Sequence, residues 1–267
     1  MVQIAKMVRS TYYHIVSSWK QTDPDRKWKR RIKFIYNKHK GRYGYRRITY
    51  VLQEKGYYIN KKKVLRLMRE LGIQSIVRMK KYKSYKGDFG KAASNILDRN
   101  FEAEKPNQKW VTDVTEFKLF GEKLYLSPVL DLFNREIITY TLQSRPTFDL
   151  VETMLDKALD RVTKDDELII HSDQGWHYRM PQYRNMLKNN NIKQSMSRKG
   201  NCYDNAVIEN FFGILKSEFL YLQEFDNINH FKEELESYIN YYNHLRIKSK
   251  LNRKSPITYR KTFELTA

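Results

Sequence analysis

The excess positive charge of this chain ends well before its midpoint. Residues 1–105 hold 28 Lys and Arg against 8 Asp and Glu, and residues 106–267 hold 23 against 22, so 20 of the 21 net charges lie in the first segment. Such segregation points to a nucleic-acid-binding arm joined to an electrically balanced globular domain. Neutralised phosphates release counterions, so binding through such an arm is strong and salt-sensitive. A basic surface that serves only solubility explains the charge but not its position. At 267 residues there is room for one large domain or two smaller ones. No apolar run reaches the ~18 residues of a membrane span, and "MVQIAKMVRS" lacks a signal-peptide layout. Cys202 is the only cysteine, which excludes an intramolecular disulfide framework and fits a reducing cytoplasm.

The basic segment reads as helical. "VRSTYYHIVSSW", with Ser10 as N-cap, resembles the end of a helical unit begun upstream, and a basic helix follows at about 25–38, after Pro24. Ile48, Val51 and Leu52 recur at helical spacing; Gly56 ends that element, Asn60 caps the next, and Val64, Leu65, Met68 and Leu71 form a second stripe. Lys61, Lys62, Lys63 and Arg66 on the second helix, with Arg46 and Arg47 on the first, fit a helix-turn-helix DNA reader. A plain helical hairpin shares the pattern. Residues 76–105 read as a basic linker. Its lysines, interleaved with Tyr82, Tyr85 and Phe89, suit either stacking on unpaired bases or a solvated tether.

Beyond Pro106 the period changes. "QKWVTDVTEFKLF", "KLYLSPVLDLF" and "REIITYTLQ" are three β-rich runs with short connections, an antiparallel meander. Helix, strand ("ELIIHSD"), helix, strand ("IKQSMS") and two further helices complete the order βββαβαβαα. The expected fold class is α/β: an RNase H-like domain with a C-terminal helical segment over residues 106–267, preceded by a small basic all-α, helix-turn-helix-like region over residues 1–75.

Three carboxylates stand out by the elements that carry them. Asp113 is in the first strand, sharing a face with Val111, Thr115 and Phe117. Asp173 ends the strand "LIIHSD", and ligands of open α/β sheets bind at strand C-terminal ends. Glu209 is on the helix "DNAVIENFFGILKSEF", beside the apolar stripe Ile208, Phe211, Leu215 and Phe219. A carboxylate among apolar neighbours is costly unless hydrogen-bonded, protonated or metal-bound, and three together repel one another. Two Mg²⁺ ions, with Mn²⁺ able to substitute, remove both costs and supply phosphodiester chemistry. Thirty acidic residues, however, yield some triple at any spacing by chance.

"WVTDVTEF", "HSDQGWHY" and "SRKGNCYDNAVIENFFGILKSE" resemble the three catalytic blocks of DDE transposases in the retroviral-integrase superfamily, most closely the second-frame product of bacterial insertion sequences of the IS3 type. The 35 residues between Asp173 and Glu209 match the family interval, and Lys216 matches its lysine seven positions after the glutamate. "YYNHLRIKSKLNRKSPITYR" and "GYRRITYVLQEKGYYINKKKVLRLMRELGI" resemble its closing segment and upstream module.

The resemblance implies nicking of DNA at terminal inverted repeats and strand transfer into target DNA, with Asp113, Asp173 and Glu209 as metal-holding catalytic residues. It further implies a homo-oligomer on paired ends, a possible upstream-frame partner product, and action in the bacterial cytoplasm at the nucleoid. A catalytically silent DNA-binding regulator and an RNase H-type nuclease are the competing readings. Lys216, Arg198 and Lys199 are expected on DNA phosphate. Asn205 either orients the glutamate or a terminal nucleotide, or caps its helix. Gly213 either admits DNA backbone or serves packing. His171 is either a partner of Asp173 or a satisfied core residue, while Trp110 and Trp176 are expected to pack. No His or Cys spacing supports a zinc site.

Overall fold

A computed structural model describes residues 8–20, 23–75, 93–163 and 167–266. The chain divides into two units at Ile76/Val77. In the first, helix α1 spans Arg9–Lys20, so Ser10 lies in its first turn rather than at the N-cap. Helices α2 (Arg26–Lys38), α3 (Tyr45–Glu54) and α4 (Lys61–Glu70) bury Ile32, Ile35, Ile48, Leu52, Val64, Leu67 and Met68. The α4 stripe runs through Leu67, with Leu65 and Leu71 only half-buried. Gly56 leaves α3 at φ +80°, a conformation open to glycine. The Asn60 side chain accepts the Lys62 N–H at 2.8 Å and caps α4, a contact worth about 1 kcal/mol.

The second unit is built on a mixed sheet. Strand β3 (Glu122–Asp131) pairs along one edge with β4 (Ile137–Gln143) and along the other with β1 (Lys109–Thr112) and β2 (Thr115–Leu119). Strands β5 (Ile169–Ser172) and β6 (Lys193–Met196) extend the sheet in parallel from β1. The first β run is thus two strands, not one, and its break has a cause in the facing strand. The Leu132 N–H donates to Lys109 O, and bonded pairs recur every second residue in an antiparallel ladder. The same register, Thr112↔Val129 and Thr115↔Leu126, sets Asp113 opposite Pro128. Proline has no N–H to offer there.

Alternation along β1 sends Trp110 to one face and Val111 to the other. Trp110, Val129 and Ile170 are covered by helix α5 (Phe148–Leu159), the short α6 (Trp176–Arg179) and α7 (Pro181–Asn189), which bury Met154, Leu155, Tyr178 and Tyr183. On the other face Val111, Phe117, Leu126 and Leu130 meet helix α8 (Ala206–Leu215) and helix α9 (Ile228–His244). Helix α10 (Pro256–Glu264), not anticipated, closes the chain. A 3-10 turn (Cys202–Asn205) leads into α8 and a π turn (Lys216–Leu220) follows it. Arg246 locks that π turn to the segment after α9, donating through Nε and Nη2 to Glu218 at 2.7 Å each.

The expected linker ends early. Residues 76–92, with Tyr82, Tyr85 and Phe89, lie outside the described residues. Residues 93–105 belong to the second unit, because Leu97 is buried in the core shared by the sheet, α8 and α9.

Candidate active site

The parallel register decides where two of the carboxylates meet. Lys109 pairs with Ile169, Trp110 with Ile170 and Val111 with His171. Continued by two residues, that register sets Asp113 beside Asp173 at the C-terminal ends of adjacent strands, which lie about 4.8 Å apart. Each aspartate is half-buried and anchored through one oxygen. Asp113 Oδ1 accepts the Val114 N–H at 2.7 Å, and Asp173 Oδ1 accepts the Gly175 N–H at 2.8 Å.

Helix α8 brings the third. Ile208, Phe211, Leu215 and Phe219 are buried as expected, and Glu209 sits half-buried beside them. Burial, then the charge of Asp173, pushes Asp113 well above the usual carboxylate range; Glu209 adds to the rise and Lys216 opposes it. Burial also raises Asp173, against the Gly175 N–H and His177. Glu209 is raised by burial and by Asp173. The three acids therefore act on one another electrostatically. Among the described residues, neither Asp113 nor Asp173 has an ion-pair partner, and no three His, Cys, Asp or Glu side chains form a ready-made metal cage.

The surroundings hold residues that sequence reasoning missed. Tyr178 is fully buried with its hydroxyl 3.4 Å from Thr112 Oγ1. Burial, then Asp113 and Asp173, drives its pKa far up, so it remains a neutral phenol beneath the pair. A Cβ on Gly175 would stand 2.8 Å from Asp173 Oδ1 and 3.4 Å from the Tyr178 ring, so glycine alone lets that carboxylate fold back onto its own turn. The D-x-G spacing was a visible signal for Gly175; nothing in the sequence marked Tyr178.

Other expected residues divide. Lys216 opens the π turn, half-buried, with its ammonium 5.9 Å from the Phe117 ring centroid. Burial lowers its pKa, against Glu116 and Asp113. Asn205 is 3% exposed, makes no side-chain cap bond, and among the described residues both its amide atoms lack partners. It stands at the N-cap position of α8, without the side-chain bond that capping would add. Among the described residues nothing lies within 4 Å of a Cβ placed on Gly213, so none of them packs closely against it. His171 is a satisfied core residue, bonded to Ser195 Oγ at 2.8 Å and Ser197 Oγ at 3.1 Å. Trp110 is buried, but Trp176 is 43% exposed and stacks on His177 instead of packing inside. Arg198 and Lys199 are exposed, with Arg198 paired to Asp98.

In the N-terminal unit Lys61 and Lys62 are exposed. Lys63 and Arg66 instead pair with Asp25, at 2.7 and 2.6 Å, and Arg66 also reaches Glu70 at 3.3 Å. Arg46 bonds the Tyr45 hydroxyl at 3.1 Å, and Arg47 lies over the Tyr43 ring at 5.4 Å.

The sheet thus carries two neighbouring strand-end aspartates, and a helix-borne glutamate feels the charge of one of them. Residues 103–202 and 209–263 match family models described as integrase core domain, and residues 23–81 match one described as HTH-like domain. The transposase InsK of insertion sequence element IS150 from Escherichia coli K12 is 51% identical over 97% of this chain and 92% of its own length. The transposase of insertion sequence element IS904 from Lactococcus lactis is 36% identical, covering 86% of this chain and 92% of the relative. Among solved structures, the HTLV-2 integrase catalytic core aligns at a TM-score of 0.46 with 17% identity, over 59% of this chain and 98% of that one. The chain belongs to the insertion-sequence transposases of the IS3 type, enzymes of DNA transposition.

Proposed function

We propose that Asp113, Asp173 and Glu209 are the catalytic and metal-holding residues of this transposase, cutting at terminal inverted repeats and joining the freed end to target DNA. The observation that carries the reading is the register that sets Asp113 beside Asp173, both raised by burial and neither in an ion pair among the described residues. The donor set fits a hard divalent ion: three carboxylates, with the second oxygen of each aspartate left without a hydrogen bond among the described residues. Two Mg²⁺ ions, replaceable by Mn²⁺, would supply charge neutralisation at phosphorus and an activated attacking oxygen.

This chain's own residues supply the rest. The amides of Val114 and Gly175 fix the rotamers of the two aspartates, and Tyr178 packs under them. In the first step a water oxygen bonds to phosphorus as the P–O3′ bond breaks, freeing a 3′-hydroxyl. In the second that hydroxyl attacks a target phosphate, and a target 3′-oxygen leaves. Lys216 would meet phosphate near Asp113, and Asn205, buried one turn before Glu209, would orient that carboxylate. In the second unit Arg198 and Lys199 would track backbone phosphates; in the N-terminal unit the exposed Lys61 and Lys62, and Arg46 and Arg47 at the start of α3, would do the same. A multimer on paired ends, a partner from an upstream frame and action at the bacterial nucleoid are supported by family membership alone. No helix among the described residues is long and apolar enough to cross a membrane.

A strand-transfer assay with Mg²⁺ and an oligonucleotide carrying the element's end tests the proposal. Joined product supports it. Cleavage without joining would favour a nuclease, and DNA retention with neither would favour a silent regulator.

A further inference from the structure

We infer that Asp204 is a positioning residue for Glu209, held in place by residues 93–99. The inference rests on the reading of Glu209 as a catalytic carboxylate. Asp204 lies in the 3-10 turn that leads into α8, and its side chain is fully buried. A buried carboxylate is tolerated only when its lone pairs are met, and here they are. Oδ1 accepts Arg99 Nε at 2.8 Å, while Oδ2 accepts Asn95 Nδ2 and the Arg198 backbone N–H, both at 3.0 Å. The Arg198 guanidinium stands 3.7 Å from Oδ1. One acid therefore ties the entrance of the Glu209 helix to the loop after β6 and to a segment more than 100 residues earlier.

That segment is shaped for the contact. The Asp98 N–H donates to Asn95 Oδ1 at 2.9 Å, closing a turn. Asp98 and Arg99 then adopt φ of +39° and +63° in succession. Two consecutive non-glycine residues in the left-handed region persist only where the surroundings hold them. The Ile96 and Leu97 N–H groups both donate to Ser195 Oγ at 3.0 Å, and the Met196 N–H donates to Ser94 O at 3.2 Å. With two donors already on its oxygen, Ser195 directs its own proton to His171 Nδ1, on the strand that ends at Asp173. Residues 93–99 thus strap together the strand of one catalytic acid and the helix of another.

The test uses the full-length chain. Arg99→Ala, at a half-exposed side chain, and Asp204→Asn should each lower strand transfer about 100-fold, as a displacement near 1 Å does. DNA retention in a gel shift should stay within about twofold of wild type. Amide exchange at residues 206–210 should quicken about tenfold at an unchanged melting temperature, and Arg99→Lys should recover part of the activity. Should Asp204→Asn fail to fold, Arg99→Ala decides alone. Wild-type joining by Arg99→Ala, unchanged exchange in α8, or lost DNA retention would each overturn the inference. Glu209→Gln is the control: if it still joins DNA, the catalytic reading of Glu209 fails, while the exchange data, which need no activity, still report whether Asp204 holds the helix entrance.

Discussion

In the N-terminal unit Asp25 is flanked by Lys63 and Arg66, and Asp23 and Glu70 both meet Lys29. In the catalytic unit Asp113 and Asp173 lie side by side and face each other's charge. The first arrangement resembles the ordinary surface of a soluble domain: acids settle among bases, and the remaining cations face outward. The second is unfavourable in isolation and has to be held by the sheet. A unit that spends stability on keeping like charges together is built to receive opposite charge, and a unit with surplus exposed cations is built to receive anions. On the proposed reading, gripping DNA and breaking it would fall to opposite electrostatics.

The hardest blow to that contrast comes from Asp173→Asn or Asp113→Asn. Joining should fall on the order of 10⁴-fold, the scale seen when one member of a catalytic set is removed, with DNA retention intact. If the acids are held at a cost, the same variants should also melt higher than wild type without metal. Strand transfer and thermal melting side by side check both halves. An active variant would refute the site, and a less stable one would refute the cost.

Asp131 provides the contrast to the proposed catalytic pair: a buried acid that serves the fold. It is fully buried at the end of β3, accepts the N–H groups of Asn107 and Phe133, and burial pushes its carboxyl up to about 6. The raised value means that the folded state binds the proton more tightly than the unfolded chain does. Stability contributed by this group is therefore present at acid pH and is lost as pH rises from about 4 through about 6, a change on the order of 3 kcal/mol. Denaturant titrations of wild type and Asp131→Asn across pH 4–7 should diverge in slope over that window and run parallel above it. Parallel slopes throughout would show that burial at this position carries no penalty.

Much of this site was legible because the relevant signals are local. Asp173 ends an apolar strand before a D-x-G turn, and Glu209 flanks a stripe with helical spacing. What was not legible depends on partners distant in the chain. The break that frees Asp113 comes from Pro128 in the facing strand, and Tyr178 matters only because α6 carries it under both aspartates. Ile96, Leu97 and Phe101, spaced without a helical or strand period, gave no sign that residues 93–105 are part of the domain. The fold was read correctly as a meander followed by alternating elements, yet α10 and the β1/β2 division were missed, because four- and five-residue strands divided by a tertiary contact look continuous in sequence.

Gly175 sharpens the contrast from the backbone side. Gly175→Ala introduces a carbon at 2.8 Å from Asp173 Oδ1, and the carboxylate must swing away from its anchoring amide. Joining should drop about 100-fold with little change in DNA retention. A Tyr178→Phe variant, which keeps the ring and removes the hydroxyl, should cost less. If alanine is tolerated, anchoring of Asp173 by its own turn is not what fixes the site.

The smallest effect tests the gripping half, and it divides lysines that are neighbours in sequence. Lys62 is exposed, while Lys63 is bound to Asp25 at 2.7 Å. A lysine that already has a carboxylate gains less from a phosphate, since one ion pair is exchanged for another. Lys62→Ala should therefore reduce the slope of log affinity against log salt by about 0.9, one counterion's worth. Lys63→Ala should reduce it by less, and Asp25→Asn should bring Lys63 up to the level of Lys62. Equal effects of the two lysines in the wild-type background would mean that Asp25 yields its partners freely when DNA arrives. The N-terminal unit would then hold its cations in reserve rather than in use.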